Sequence, residues 1–236
     1  MALSAAALPA VAADEPAPAA DSLSFNVGVV SEYRYRGIGQ TRLKPALQGG
    51  IDYAFANGFY IGTWASTIKW IKDYGGDSEV EVDFYGGYKT EVAPGLTLDV
   101  GLLQYYYPSN KLNPSANTLE VYGALSFGVV TAKYSHSTTN LFGVADSKGS
   151  GYLDISAAID MGDGLMLSPH VGYQKVKNNS LASYADYSLT LSKDFSGLLV
   201  SAAVIGTDAD KGFYASPANG KFLGKTTLVV GLKKTF

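Results

Sequence analysis

Apolar and polar residues alternate along most of this chain, and that alternation constrains its fold more than any other feature. From Leu47 to Phe55 every second residue is apolar or glycine, and the residues between them are mixed polar. Asn57 and Gly58 follow, a pair that favours a type I′ hairpin turn because both central positions need a positive φ. Alternation continues to Trp64. Because a period of two places alternate side chains on opposite faces of a strand, the stretch predicts a hairpin with one apolar face.

Segments of the same kind follow one another from residue 24 to the C-terminus. In the first segment Val29, Tyr33 and Tyr35 belong to the apolar face. Arg34 and Arg36 belong to the polar face. No stretch shows a sustained helical period. Counting the segments gives about twelve strands of roughly ten residues, the length that a tilted strand needs to cross the hydrocarbon core of a membrane.

Short and long connections also alternate along the chain. Short turns fall at residues 57–58, 93–95, 127–128, 162–164 and 196–197. Longer polar loops fall near residues 37–44, 71–78, 108–117, 139–150, 177–183 and 208–222. A soluble β-sandwich has no reason to separate its connections in this way. The sequence therefore predicts an all-β fold, a transmembrane antiparallel up-and-down β-barrel of about 12 strands with short periplasmic turns and longer extracellular loops.

The N-terminal residues differ in composition from the barrel. Residues 1–13 are rich in alanine and leucine and end in Val11, Ala12 and Ala13, a small-residue pattern suited to cleavage by signal peptidase. We interpret residues 1–13 as a signal-peptide remnant, and the alternative is an alanine-rich disordered arm. Residues 14–23 combine proline, alanine and acidic residues, which predicts a disordered periplasmic linker. The barrel would then occupy residues 24–236 of a protein exported to the bacterial outer membrane.

Composition and charge exclude several classes of function. The absence of cysteine excludes disulfides, thiolate metal sites and cysteine nucleophiles. A net charge of -3 argues against nucleic acid as a partner, since a nucleic-acid binder would carry a basic stripe. No segment has the roughly 18 consecutive apolar residues of a transmembrane helix. We expect no metal and no cofactor, and we expect outer-membrane lipid and lipopolysaccharide as surroundings.

The last segment ends in a phenylalanine. Leu228, Val230, Leu232 and Phe236 share one face of an alternating strand. A terminal phenylalanine in this position resembles the assembly signal that the outer-membrane barrel-assembly machinery reads. That machinery is the partner we expect during biogenesis.

Several motifs resemble one family of bacterial outer-membrane proteins. The most specific are S31-E-Y33-R-Y-R36-G37-I-G-Q40-T41, P45-A-L-Q48-G49-G50-I-D52-Y53 and G58-F59-Y60-I-G62-T-W64-A-S66. Further matches are D83-F-Y85-G86-G87-Y88, Y105-Y-Y107-P108, T118-L-E120-V-Y122-G123, A132-K-Y134-S135 and H170-V-G172-Y173-Q174. Over residues 24–236 the chain is similar to the TorF-type porin family, formerly a domain of unknown function. The resemblance implies an outer-membrane barrel with pore function, and it implies no substrate and no catalytic residues.

Charged residues on the inward faces point to a narrow pore. A barrel of about twelve strands lies in size between eight-stranded barrels filled by side chains and sixteen-stranded porins with wide channels. The predicted pore-lining residues are Glu32, Arg34, Arg36, Asp52, Glu79, Glu81, Asp83, Asp99, Glu120, Lys133 and Asp154. We predict a porin-like channel for passive passage of small solutes or ions. The alternative is a closed structural barrel in which these charges pair and plug the interior.

Two further possibilities rest on fewer residues. A lipid-modifying barrel enzyme would need a serine within reach of His136, but Ser135 and Ser137 point to the opposite face of the same strand. We therefore expect no enzyme. The basic loop at residues 36–44 could bind lipopolysaccharide phosphates or fold inward over the pore. Both faces of residues 59–70 are mixed, so the face that Trp64 occupies stays open.

Overall fold

A closed antiparallel barrel of twelve strands makes up the part of the chain that the computed structural model describes, residues 20–236. The strands are β1 (Ser22–Val30), β2 (Ala46–Ala54), β3 (Phe59–Thr67), β4 (Val80–Ala93), β5 (Leu96–Tyr106), β6 (Thr118–Phe127), β7 (Val130–Ser137), β8 (Gly151–Ala157, continued by Ile159–Asp160), β9 (Leu165–Lys175), β10 (Tyr184–Asp194), β11 (Leu198–Thr207) and β12 (Thr227–Thr235). The fold class predicted from the sequence is confirmed. The signal-peptide remnant and residues 14–19 of the linker lie outside the described residues.

Strand pairing closes the sheet on itself. Each strand pairs with its neighbours in sequence, and β1 pairs with both β2 and β12. The N–H groups of Phe25 and Phe236 each donate to the other residue's carbonyl, at 3.2 and 2.8 Å, which completes the closing pair. A closed sheet satisfies every backbone group without a free edge, which an apolar medium demands. Recognition of Phe236 by the assembly machinery stays a prediction.

The two faces of the strands follow the alternation of the sequence. The outward side chains Val29, Ile51, Val100 and Ile155 are exposed, which gives the barrel an apolar exterior. Inward side chains on the same strands include carboxylates such as Asp99 and aromatic rings such as Tyr105 and Tyr152, and all three are buried. The predicted division into faces is therefore confirmed for these strands.

Connections segregate by length, as the sequence predicts. Residues 55–58, 94–95, 128–129, 161–164 and 195–197 connect strands at one end of the barrel, the turn end. Residues 31–45, 68–79, 107–117, 138–150, 176–183 and 208–226 connect strands at the other, the loop end. The loop after β3 carries one short helix, α1 (Trp70–Asp73), and residues Ser180–Ala182 form a 3-10 turn. No helix within residues 20–236 is long and apolar enough to span a membrane.

The first hairpin turn differs in detail from the prediction. Gly58 takes a φ of 91°, whereas Asn57 does not have a positive φ. The amide of Gly58 donates to the carbonyl of Phe55 at 3.1 Å, so four residues make the connection. Only one position of this turn therefore needs the conformational freedom of glycine.

The largest departure from the prediction is the end of β1, which stops at Val30. Residues 31–41 leave the wall and fold into the barrel, and we call them the inward segment. Every residue from 32 to 41 is buried. Within the segment, Arg34–Tyr35 pairs with Ile38–Gly39 as a minimal hairpin. Its tip is Gly37, with a φ of 78°, where a Cβ atom would collide with the Thr207 side chain.

Tyrosine rings cover glycines of neighbouring strands on the inward face. A Cβ atom on Gly101 would lie 2.5 Å from the Tyr122 hydroxyl and 2.6 Å from the Gly86 carbonyl oxygen. Gly101 faces inward, but its surroundings leave no space for a side chain as large as arginine. Since backbone lies on one side and a ring on the other, the position has no room for any side chain.

A closed barrel should resist unfolding in detergent. We expect the unboiled protein to migrate differently from the boiled protein on a denaturing gel, because the barrel stays folded in the detergent until it is heated. Circular dichroism should show strand and negligible helix. A monodisperse preparation that is soluble without detergent would contradict the membrane fold.

Candidate functional site: the lumen and its inward segment

The inward segment is held against β3 and β4 through Tyr33. The Tyr33 hydroxyl donates to Glu81 on β4 at 2.5 Å. The Tyr33 ring meets the Trp64 ring edge-to-face, with 5.5 Å between centroids. Trp64 is buried, so the face that the sequence left open is the inward one. Aromatic packing and a charge-assisted hydrogen bond together fix the start of the segment.

Tyr35 packs against β5 and against the loop between β7 and β8. Its hydroxyl donates to the Tyr105 hydroxyl at 2.8 Å. The rings of Tyr35, Tyr105 and Phe142 meet edge-to-face, with centroid separations of 5.1–5.4 Å. The sequence placed Tyr33 and Tyr35 on the lipid-facing side of a continued first strand, and that placement is wrong. Both rings fill the interior of the barrel.

Arg36 crosses the lumen and connects three more strands. Its guanidinium contacts both carboxylate oxygens of Glu120 on β6, at 2.8 and 3.0 Å. It also donates to the amide oxygen of Gln174 on β9 at 2.5 Å. The same group lies over the ring of Tyr152 on β8, 4.1 Å from the centroid. Because the pair is buried, removal of one partner leaves an uncompensated charge, which costs about 3–5 kcal/mol.

Arg34 stabilises the segment from within. Its guanidinium lies 2.7 Å from Glu32 and donates to the carbonyl oxygens of Gly37 and Lys225, at 2.8 and 3.0 Å. The sequence correctly predicts that Glu32, Arg34 and Arg36 point into the barrel. It places them on a strand, however, whereas they belong to the inward segment. This difference brings them towards the centre of the lumen.

Buried carboxylates face the inward segment across the lumen. Glu81, Asp83 and Glu120 are each at most 1% exposed. Glu81 and Glu120 bind Tyr33 and Arg36, but neither carboxylate oxygen of Asp83 has a hydrogen-bond partner among the described residues. An unpartnered buried carboxylate is costly unless a cation, a proton or water compensates it. This side of the lumen therefore attracts positive charge.

Closer to the turn end, the predicted lumen residues bind tyrosines. Asp52 accepts a hydrogen bond from Tyr85, and Asp99 accepts one from Tyr60 at 2.6 Å. The Lys133 ammonium lies 3.9 Å from the centre of the Tyr122 ring. Tyr60 and Tyr122 also share a hydrogen bond. The structure thus confirms the inward orientation of Asp52, Asp99 and Lys133, while their role in conduction stays a prediction.

A second polar cluster surrounds His170 on β9. Its Nε2 lies 2.8 Å from Asp154, and its Nδ1 lies 3.6 Å from Asp186. The Tyr152 hydroxyl donates to Asp186 at 2.9 Å. Asp154 is one of the predicted pore-lining residues, whereas Asp186, Gln174 and Tyr152 are not. The alternation predicts that these three side chains point inward. Their contacts could not be predicted, because they depend on the register between the strands.

Glu79 is the predicted lumen residue that the structure places elsewhere. β4 begins at Val80, so Glu79 belongs to the loop before it, with a half-exposed side chain. It binds Lys69 and, at 3.2 Å, Lys72. Hydrogen bonds from these two lysines lower the pKa of Glu79, which favours its charged form. The prediction that Glu79 lines the pore is wrong.

His136 is the histidine on which the alternative of a lipid-modifying enzyme depends. His136 faces outward, whereas Ser135 and Ser137 are buried on the inward side of the same strand. Nucleophilic catalysis needs a hydroxyl within hydrogen-bond reach of its base, and His136 has no such hydrogen bond among the described residues. Within residues 20–236, no three His, Cys, Asp or Glu side chains group as metal ligands.

Comparison with known proteins places the chain in a family. A family model described as a bacterial protein of unknown function, Gcw_chp, matches residues 13–236. The chain belongs to the Gcw_chp family. No curated protein matches this Gcw_chp chain in sequence.

Solved structures similar to this Gcw_chp protein include two porins. The KdgM porin superimposes with a TM-score of 0.60 at 12% identity, over 90% of this chain and 99% of that one. The NanC porin gives a TM-score of 0.58 at 10% identity, over 91% and 99%. KdgM is also described in complex with disordered oligogalacturonate, with a TM-score of 0.58 at 11% identity over 91% and 98%. At such identities the likeness shows a shared barrel fold.

Proposed function

We propose that this Gcw_chp protein is an outer-membrane, porin-like channel for passive passage of small solutes or ions, narrowed by the inward segment. The observation that carries the proposal is the inward segment itself, which brings Arg34 and Arg36 into a lumen lined by charged residues. The closed barrel with an apolar exterior supports a place in a membrane, and the resemblance to TorF-type porins supports the outer membrane of a bacterium. The turn end would face the periplasm and the loop end the outside.

Charge in the lumen supports a preference for cations or neutral solutes. The inward carboxylates of the described strands are Asp52, Glu81, Asp83, Asp99, Glu120, Asp154 and Asp186. The facing cations are Arg34, Arg36, Lys89, Lys133 and Lys233, of which Arg34 is paired with Glu32 and Arg36 with Glu120. Carboxylates that line a narrow, low-dielectric channel favour cations. The oligogalacturonate named with KdgM is a polyanion, and the excess of carboxylates disfavours such a solute here.

Reversal potentials test this selectivity. Replacing Glu81 and Asp83 by Gln and Asn should move the reversal potential in a salt gradient towards that of anions, because two acidic groups that can attract cations leave the lumen. Replacing Arg36 by Gln should move it the other way. The matched control is Glu79→Gln, which removes a carboxylate two residues away but outside the lumen. If the control and the lumen variant shifted the reversal potential equally, the proposal that ions pass Glu81 and Asp83 would be contradicted.

One observation favours a second candidate function, a closed structural barrel. Residues 32–41 are buried throughout, and their side chains contact β3, β4, β5, β6, β8 and β9. Such packing could block passage altogether. Liposome swelling in small sugars separates the two functions, because a channel admits the sugar and a closed barrel does not.

A further inference from the structure

Cationic side chains line a cleft at the loop end, beside the last residues of β3. We call it the rim cleft, and it is lined by Thr41, Arg42, Lys44, Thr67, Lys69 and Lys221 among others. Its volume is about 250 Å³. None of its lining residues is acidic. The cations come from three separate loops, so the folded barrel and not a local sequence run brings them together.

A buried carboxylate ties the three loops to one another. Asp73 of α1 accepts a hydrogen bond from Arg42 Nε at 2.5 Å and one from the Ser216 hydroxyl at 3.3 Å. The side chain of Asp73 is 2% exposed, whereas that of Arg42 is 37% exposed. The hydrogen bond to Asp73 raises the pKa of Arg42, which therefore keeps its charge. The cleft is thus preorganised, with one guanidinium fixed at its wall.

Cations in the rim cleft exceed the carboxylates that neutralise them. Arg42 is paired with Asp73, and Lys69 is paired with Glu79. Lys44 and Lys221 are exposed, and within residues 20–236 neither has a carboxylate within ion-pair distance. Two of the four cations lining the cleft therefore carry uncompensated charge. A ligand with about two negative charges would complement them.

The position of the cleft indicates where such a ligand would come from. Thr67 lies on the outward face of β3, and its hydroxyl accepts a hydrogen bond from the amide of Leu47 on β2 at 3.1 Å. Leu47 is 61% exposed and belongs to the apolar exterior. The cleft therefore borders the upper edge of the lipid-facing surface. Lipid headgroups lie at that level in a bilayer.

We propose that the rim cleft binds the phosphate of a phosphorylated glycolipid headgroup in the outer leaflet. A phosphate monoester carries about −1.5 to −2 charge at pH 7, which matches the two uncompensated lysines. Arg and Lys form strong charge-assisted hydrogen bonds with phosphate oxygens. Basic pockets beside membrane-spanning segments recognise lipid headgroups through the same chemistry. The acyl chains of such a lipid would lie against Leu47 and its outward neighbours.

Native mass spectrometry of the full chain in detergent tests the site, with bisphosphorylated lipid A as the probe. The double variant Lys44→Gln with Lys221→Gln should bind this lipid about 30-fold more weakly, the equivalent of about 1 kcal/mol for each lysine. The matched control is Lys148→Gln with Lys177→Gln, two lysines that line a different groove at the loop end. The control should bind the lipid as the unmodified protein does.

Three results would overturn the proposal. The first is equal binding by the rim variant and the control. The second is equal binding of dephosphorylated lipid A by the unmodified protein, because the phosphate would then be irrelevant. The third is binding of inorganic phosphate as tight as that of the lipid, which would make the cleft a site for a free anion. Gel migration before and after boiling shows that both variants are folded, and unchanged conductance separates this site from the proposed channel.

Discussion

Arg36→Gln should turn a narrow path through the barrel into a wide one. The substitution removes the charge that holds the inward segment to Glu120 and leaves that carboxylate buried without its partner, at a cost of about 3–5 kcal/mol. The segment should then leave its docked position while the barrel wall stays closed. Liposomes that contain the variant should swell in larger sugars that do not enter liposomes with the unmodified protein.

A double-mutant cycle tests the same contact. Arg36→Gln combined with Glu120→Gln leaves no unpaired charge, so the double variant should restore part of the size limit. Lys111→Gln is the control, because Lys111 forms an exposed ion pair with Asp77 at the loop end and such pairs contribute little. If Arg36→Gln and Lys111→Gln gave the same swelling, the inward segment would not set the width of the path.

A charged substitution on the lipid-facing surface should have the second large effect, a loss of barrel stability or assembly. Ile155→Arg near the middle of β8 should cost about 2–4 kcal/mol or abolish assembly, because the cation would lie in the hydrocarbon core. Ser156→Arg should be much better tolerated, because Ser156 faces the lumen close to Asp154. The measurement is the fraction of protein that keeps the fast-migrating, folded form on an unboiled gel. A more damaging Ser156→Arg would mean that the inward and outward faces are exchanged.

The barrel was predictable from the sequence because the face that each side chain occupies depends only on its position within its own strand. Alternation on β4 gives the orientation of Glu81 and Asp83 without knowledge of any neighbour, since a period of two residues fixes the face. The separation of short turns from long loops gives the topology in the same way. The end of β1 was the exception. After Val30 the alternation continues, with Tyr33 and Tyr35 on one face and Arg34 and Arg36 on the other, so the alternation gave no signal that the strand had ended.

The contacts of the site were not predictable because they join residues distant in sequence. Arg36 meets Glu120 and Gln174, and its partners depend on how far the inward segment reaches across the lumen. Glu79 precedes Glu81 by two residues, so alternation alone places both side chains on the lumen face. Its actual place follows from the start of β4 at Val80 and from two lysines near α1. Neither fact is encoded in the alternation.

Single-channel recording in planar bilayers tests the proposed channel most directly. The unmodified protein, folded into detergent and diluted into a bilayer under a salt gradient, should produce small discrete conductance steps with a reversal potential that favours cations. Arg36→Gln should produce larger steps through the same barrel. The absence of steps from both proteins, with folding verified by gel migration, would contradict the channel, and so would a reversal potential of the unmodified protein that favours anions.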